Sequence, residues 1–500
     1  MGTGAELVTV EARFEGHERQ GTEVLISGLP DPVIRESRGR LLCALRENHL
    51  RLPPGRVYIN LVPATRRKTG GTLDLPLALA AAAACGHLDC RWFEKTLFLG
   101  ELGIDGRLHG VPGGLAAARL ARELGLQSLV APPATANEAA WIEGLHCTAA
   151  RDLHEVVAHL SGAAPPLPEI IPEHQESEAP APSTLSLDGV RGHATAKRAL
   201  AVAALGGHGL LLVGPPGTGK SMLARRMVGL MPAPDLEERI EITLALSAAG
   251  LWTGGLASRR PFRAPHHTTS YAGLVGGGSP PKPGEISLAH HGLLFLDELP
   301  EFKRESLEAL RQPLESGHVA IGRAGYRIEL PARFQLAAAM NPCPCGFRGH
   351  PRIPCHCSRT MVDRYRRRIS GPLLDRIELR LGLAPPPIGE LLGPASSSPP
   401  AQGTSHAELV HAIATGRHFA RERQGSRRNS DLTADDLDHF APIGGASLQL
   451  LEGASLKHDL SARAVQALRR VARTIADLAG TSDVELPHLA EALALRGREL

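Results

Sequence analysis

Apolar positions change their spacing twice along the chain. Between residues 8 and 160, short β-branched runs (Val8–Val10, Glu23–Ser27, Arg56–Leu61) alternate with stretches of helical spacing (Arg35–Asn48, Leu75–Cys85, Gly114–Leu124). That alternation predicts an α/β domain. In the middle of the chain, uninterrupted apolar runs at Leu210–Val213, Leu293–Leu296 and Phe334–Met340 have the length of strands. After residue 406 the spacing becomes helical. Val465, Leu468, Ala472, Ile475 and Ala479 line one side of a long helix opened by Ser461, a stripe that reads most simply as core packing.

Two polar gaps separate these regions. Residues 161–184 hold six prolines and four acids with no Lys or Arg, and residues 385–405 hold a triple proline and the run Ser396–Ser398. Neither composition can pack a core, so both read as linkers, and the expected domains are 1–160, 185–384 and 406–500.

Composition narrows the class. Five hundred residues suit about three domains. With 43% apolar and 21% charged residues, and with its longest near-apolar stretch ending after Leu75–Cys85, the chain is not expected to span a membrane. The first residues lack a basic stretch leading into an apolar one, so the cytoplasm is the expected compartment. Eight cysteines should then stay thiols or bind metal. A formal charge of +3 gives no global attraction to polyanions, so any such site must be a local patch.

The central block carries the chemistry. Directly after the run Leu210–Val213 comes Gly214-Pro215-Pro216-Gly217-Thr218-Gly219-Lys220-Ser221, then a helical stretch. Glycines let backbone N–H groups close around phosphates where a Cβ would intrude, Lys220 suits the β- and γ-phosphates, and Ser221 suits Mg²⁺. A Gly-rich surface turn is the plain alternative, and the strand–loop–helix context opposes it. Leu293–Leu296 ends in Asp297 and Glu298, one carboxylate for the Mg²⁺ shell and one to polarise water. Phe334–Met340 ends in Asn341, either a turn residue or an amide that holds the same water. On the late helix, Arg463, Arg470 and Arg473 need a nucleotide or a solvated face.

Four cysteines cluster as Cys343-Pro-Cys345 and Cys355-His-Cys357 within an insertion at 343–357. Two such knuckles can close a tetrahedral shell around Zn²⁺, with His350 and His356 as competing donors and unligated thiols as the alternative. Cys43, Cys85, Cys90 and Cys147 are scattered and suit apolar packing. From Cys343 to Arg380, nine arginines face three acids, a local charge of +6. Such a patch can follow a DNA backbone or form a subunit interface, and the scarcity of aromatics there argues against sequence-specific readout.

In this order the motifs resemble the AAA+ ATPases. The strings Arg260–Thr268, Pro283–His290, Leu310–Glu315, Asn341–Gly346 and Ala472–Leu478 are similar to the magnesium-chelatase-like subfamily of the YifB/ComM type. The resemblance covers nearly the whole chain. It implies an α/β AAA+ P-loop core with a C-terminal helical lid, ATP and Mg²⁺ as cofactors, and a homo-hexameric ring. Arg376 would then be an arginine finger on the neighbour's ATP and Arg463 the sensor-2 arginine. It further implies an insert at about 259–283 and a hairpin at about 317–327 that point into a pore, where Arg263, Arg323 and Arg327 either touch DNA phosphates or bridge subunits.

Gly28–Asp31, Arg35–Ser37, Phe98–Leu102 and Pro112–Leu115 look like the Lon-protease-like domain that this family carries first. A Lon-type site needs a Ser and a Lys. The Gly71–Pro76 turn has no Ser, and Ala116 and Ala118 stand where the Lys is expected, so peptidase activity is expected to be lost. The implied function is ATP-driven branch migration of recombination intermediates, as in natural transformation. Rival readings are the motor subunit of a magnesium chelatase, an ATP-dependent protease, and a scaffold whose ATP only locks the ring.

Overall fold

A computed structural model of the chain describes residues 4–17, 21–65, 68, 70–172, 185–278, 281–323, 326–385 and 405–497. Most of both proline-rich segments, 173–184 and 386–404, lies outside the described residues. Contacts divide the chain into two units, Met1–Glu176 with Thr243–Ala257, and Ser177–Ile242 with Ser258–Leu500. Among the described residues no helix is long and apolar enough to cross a membrane.

In the first unit, strand Gly55–Val62 pairs antiparallel with Thr9–Gly16 and parallel with Thr22–Ser27. A second, all-parallel sheet is made of Thr96–Phe98, Ser128–Ala131 and His146–Ala149. Helix Pro32–Glu47 begins where Asp31 accepts a hydrogen bond from the Ile34 amide and Pro32 fixes the first turn. Helix Asp74–Ala84 is apolar on nearly every side because it is buried on nearly every side. Its one buried charge, Asp74, is held by Arg40 at 2.8 Å. The buried Ser37 hydroxyl donates to the Ile34 carbonyl, and the buried Lys68 ammonium donates to the carbonyls of Gly28 and Leu61, so backbone engages both groups.

The second unit is built on a parallel five-stranded sheet in the order Phe262–Arg263, Leu293–Leu296, Gln335–Met340, Leu210–Val213, Leu379–Gly382. Because side chains alternate along a strand, Leu210, Leu212, Leu293, Phe295, Ala337 and Ala339 share one core with the C-terminal helices. Leu211, Leu294, Leu296, Leu336, Ala338 and Met340 enter a separate core on the other face. Both faces are covered, which is why the strands read as continuous apolar runs. Helix Ala462–Ala479, capped by Ser461 and ended by Gly480 at φ +70, packs Leu468, Ala472 and Ile475 of the expected stripe into the first of these cores and Val465 against it, while Ala479, expected in the same stripe, is exposed.

Three expectations need correction. Phe262–Arg263 is the edge strand of the sheet, parallel to Leu293–Leu294, so the stretch expected as a pore insert begins inside the core sheet. Two residues are too few to show a period. Arg473 meets neither nucleotide nor solvent: fully buried, it bonds Asp477 along its helix and the carbonyls of Thr481 and Ser482. Finally, the strand expected from Phe334 starts at Gln335.

Candidate functional site

The C-terminal ends of three neighbouring strands meet at one place. Strand Leu210–Val213 runs into the loop Gly214–Gly219, where Gly217 (φ +79) and Gly219 (φ +81) adopt the left-handed conformation that glycine takes without strain. A Cβ at Gly217 would meet nothing within 4 Å, so that part of the loop faces open space. Thr218 is buried and its hydroxyl closes the turn onto the Pro215 carbonyl.

Helix Lys220–Met227 follows at once. The Lys220 ammonium folds back over the loop, donating to the carbonyls of Gly214 (2.7 Å) and Pro215 (2.9 Å) and to Asn341 Oδ1 (3.1 Å). Burial lowers its pKa, while Asp297 and Glu298 oppose that shift. Ser221 donates to Asp297 Oδ2 at 2.5 Å, and the Glu298 amide donates to Asp297 Oδ1 at 2.9 Å. The spacing in sequence thus becomes contact in space: a hydroxyl and a carboxylate side by side, a second carboxylate next to them, and an ammonium tied to an amide.

Beside this group lies a cavity of about 590 Å³ lined by Ser221, Arg225, Phe262, His267, Asp297 and Glu298. Its size suits a nucleotide-sized ligand. Paired oxygen ligands, open left-handed glycines and a lysine bonded only to neutral oxygens are together a fitting donor set for a magnesium-bound triphosphate. Sequence reasoning missed one neighbour. His267 Nδ1 stands 3.4 Å from Glu298 Oε2, and the string Arg260–Thr268 that contains it was its only signal.

The two arginines expected to serve ATP are elsewhere. Arg376 precedes strand Leu379–Gly382, and its carbonyl lies against Gly209, at the N-terminal end of strand Leu210–Val213. Its guanidinium pairs with Glu315 and donates to the Pro372 carbonyl at 2.5 Å. Arg376 Nε is a buried donor without a partner among the described residues. Arg463 donates to the same Glu315 oxygen at 2.9 Å. Both line a cavity of about 850 Å³ with Glu315, Arg333, Arg428 and Arg470. The larger cavity is therefore the arginine one, at the opposite strand ends from the glycine loop. Glu315 was also missed, although it closes the quoted string Leu310–Glu315.

Of the three arginines considered for DNA, Arg263 forms a bidentate pair with Glu285 at 2.6 and 2.7 Å, so a phosphate would have to displace that carboxylate. Arg323 and Arg327 lie on a hairpin of strands His318–Arg323 and Tyr326–Pro331, and their side chains lie outside the described residues.

Between strand Gln335–Met340 and helix Arg359–Arg366 the chain crosses a long stretch without regular structure. Here the sulfurs of Cys343, Cys345, Cys355 and Cys357 all lie within 4.8 Å of one another. Closest approaches are 3.4 Å for Cys343–Cys345, 3.5 Å for Cys345–Cys355 and 3.6 Å for Cys343–Cys355. The competing histidines are outside this group. His350 Nδ1 accepts the amides of Arg352 and Ile353, and His356 is exposed.

Three family models match successive parts of the chain: "Subunit ChlI of Mg-chelatase" at 13–135, "Magnesium chelatase, subunit ChlI" at 186–390, and "Magnesium chelatase, subunit ChlI C-terminal" at 403–496. The chain is 40% identical to "Competence protein ComM" of Haemophilus influenzae, covering 99% of this chain and 96% of that protein. Identity to "Uncharacterized protein YifB" of Escherichia coli is 39%, covering 99% and 95%. A shorter match, 29% identical over 158 residues, reaches "Lon protease 2" of Bacillus subtilis and covers 27% of this chain and 28% of that one.

Proposed function

The chain belongs to the magnesium-chelatase-like AAA+ family of ComM and YifB and is an ATPase of that type, and from this premise we propose that it is a homo-hexameric motor that moves branched or duplex DNA through a central pore. The observation that carries the ring is the separation of the glycine loop from Arg376. They sit at opposite ends of strand Leu210–Val213, so Arg376 can serve a nucleotide only on another copy.

In this reading the amides of the Gly214–Gly219 loop and Lys220 hold the triphosphate, while Ser221 and Asp297 hold Mg²⁺. Bound Mg²⁺-ATP supplies the phosphoanhydride whose hydrolysis drives the motor. Glu298 polarises the attacking water and Asn341 orients it. Arg376 and Arg463 of the adjacent copy neutralise charge that develops on the phosphates. Lys220 must exchange its three neutral oxygen partners for phosphate, a gain in charge complementarity that favours nucleotide over the free state. Zn²⁺ on the four thiols of residues 343–357 is part of the same proposal.

DNA as the partner is supported by the printed name of the competence protein ComM and by the +6 charge between Cys343 and Arg380. Branch migration of recombination intermediates is the task that fits both. The experiment is direct: the purified chain with ATP and Mg²⁺ should hydrolyse faster with DNA and should move a synthetic four-way junction. Failure of both overturns the proposal. A chelatase motor subunit is the second reading, favoured by the family descriptions. It predicts hydrolysis indifferent to DNA.

A further inference from the structure

The stretch from Asn341 to Ser358 is long for a connection without regular structure, and such stretches need a local device to hold them. Hydrogen bonds within it are few: Gly346 N–H to the Cys343 carbonyl at 2.9 Å, His350 N–H to the Phe347 carbonyl at 3.0 Å, and the two amides on His350. Its cysteines supply the rest. A tetrahedral ion with bonds of about 2.3 Å to four thiolates sets sulfurs about 3.8 Å apart. The observed separations of 3.4, 3.5 and 3.6 Å lie just inside that figure. All four cysteines are free thiols, and the Cys345 amide donates to Cys357 Sγ at 3.4 Å, a contact of the kind that orients thiolate ligands. Four thiolates around a dication leave a charge of about −2. Arg366, which lies within electrostatic reach of Cys343 and Arg348, keeps a buried Nε without a partner among the described residues.

What the cluster touches gives it a wider role. Gly346 turns at φ +84, and a Cβ there would lie 2.8 Å from Pro216 of the glycine loop and 3.8 Å from Asn341 Cγ. The turn Cys343–Gly346 is therefore packed directly on the Pro216 ring of the loop expected to cradle phosphates. Asn341, two residues before the first ligand, accepts from Lys220, and the Tyr365 hydroxyl on the following helix meets the Asn341 backbone.

We propose that the four cysteines bind one structural Zn²⁺, with loss of their four thiol protons to solvent, and that the metal-closed turn is a wall of the nucleotide pocket, fixing Pro216 and Asn341 against Lys220. This rests on the reading of Gly214–Ser221 as the ATP loop. Zinc and nucleotide binding should then be coupled: removing the metal loosens the loop, although no cysteine touches the ligand.

The test uses the full chain. Titration with a mercurial in the presence of a zinc-sensitive dye should release about one zinc per chain, and the Co²⁺-loaded protein should show the intense visible bands of tetrahedral thiolate coordination. Absence of both overturns the site. A fluorescent ATP analogue should bind the Cys355→Ser/Cys357→Ser double variant about tenfold or more weakly, with zinc lost. Wild-type affinity in a zinc-free variant overturns the coupling. Should that variant fail to fold, Gly346→Ala decides: zinc stays at about one per chain while nucleotide affinity falls, and unchanged affinity overturns the wall. If the wild-type chain carries zinc but does not bind the analogue, the ATP reading itself fails, and the coupling with it.

Discussion

At the C-terminal ends of the strands, Lys220, Ser221, Asp297, Glu298 and Asn341 lie together, with Arg225 in the wall of the same cavity. At the N-terminal ends, Arg376 and Arg463 share a single carboxylate, Glu315, and the cations are in excess. One end of the strands thus carries the glycine loop with its lysine and two carboxylates, and the other carries an arginine pair that shares one carboxylate. In the proposed ring these two ends, apart in one molecule, would meet across a heterologous contact, the kind that closes into rings when the rotation permits.

The sharpest way to break this contrast is Arg376→Ala. Hydrolysis should fall by about 10³-fold or more while a fluorescent ATP analogue binds as before, because the binding edge is untouched. Equal loss of binding would show the edges are not separate. Mixing Arg376→Ala chains with Lys220→Ala chains should restore part of the hydrolysis, since some seams then pair an intact loop with an intact arginine. Next comes Glu298→Gln, expected to lower turnover by about 10²–10⁴-fold with nucleotide affinity retained; loss of binding instead would make Glu298 a structural group.

A smaller effect is expected for Glu315→Gln. Freed from an internal anion that is about half exposed, the arginines should favour a neighbour's, so ATP-dependent assembly should occur at about threefold lower protein concentration in sedimentation runs. A shift to higher concentration would make Glu315 a positioning group for the seam.

The smallest expected effect is one of acid stability, confined to the arginine edge. There His290 and His291 both reach Glu241 Oε2, at 3.0 and 2.6 Å, and the Arg333 amide donates to His290 Nδ1. Burial lowers the His290 pKa below its ordinary 6.5, against the pull of Glu241. Although burial pushes it up, the Arg260 guanidinium holds Glu238 down to about 2. Both groups have depressed folded values, so their contribution is complete above the unfolded values and lost as pH falls: from about 6.5 downward for His290, and from about 4.5 toward 2 for Glu238. Melting temperature should drop on going from pH 7 to 5, and His290→Gln should flatten that drop. An unflattened drop would assign the acid sensitivity to other groups.

The sequence made the receptor edge readable because its signals are local. Glycines at φ +79 and +81, a lysine and a serine follow a strand without interruption, and the apolar runs announced strands covered on both sides. The arginine edge was readable only as resemblance. Glu315 is 61 residues from Arg376 and 148 from Arg463, and nothing in either neighbourhood marks a partner so distant. His267 was hidden for the same reason, and Phe262–Arg263 because a two-residue edge strand shows no period. Arg473 looked like a surface or nucleotide residue because periodicity cannot distinguish a solvated cation from one sunk among Asp477, Thr481 and Ser482.

That sunken arginine belongs to a chain of contacts with a mechanical consequence. Asp477, itself wholly buried, is gripped by Arg473, Arg423 and Asn429, and Thr474 on the same helix meets His208 at 2.7 Å. His208 stands just before strand Leu210–Val213, and its carbonyl and that of Ala203 are tied by Gln335, the first residue of the neighbouring strand. A joint closed by buried polar groups has no slack, because opening it would strand charges away from water. The late helix and the two central strands are therefore fastened to one another by a continuous set of buried polar contacts as well as by apolar packing.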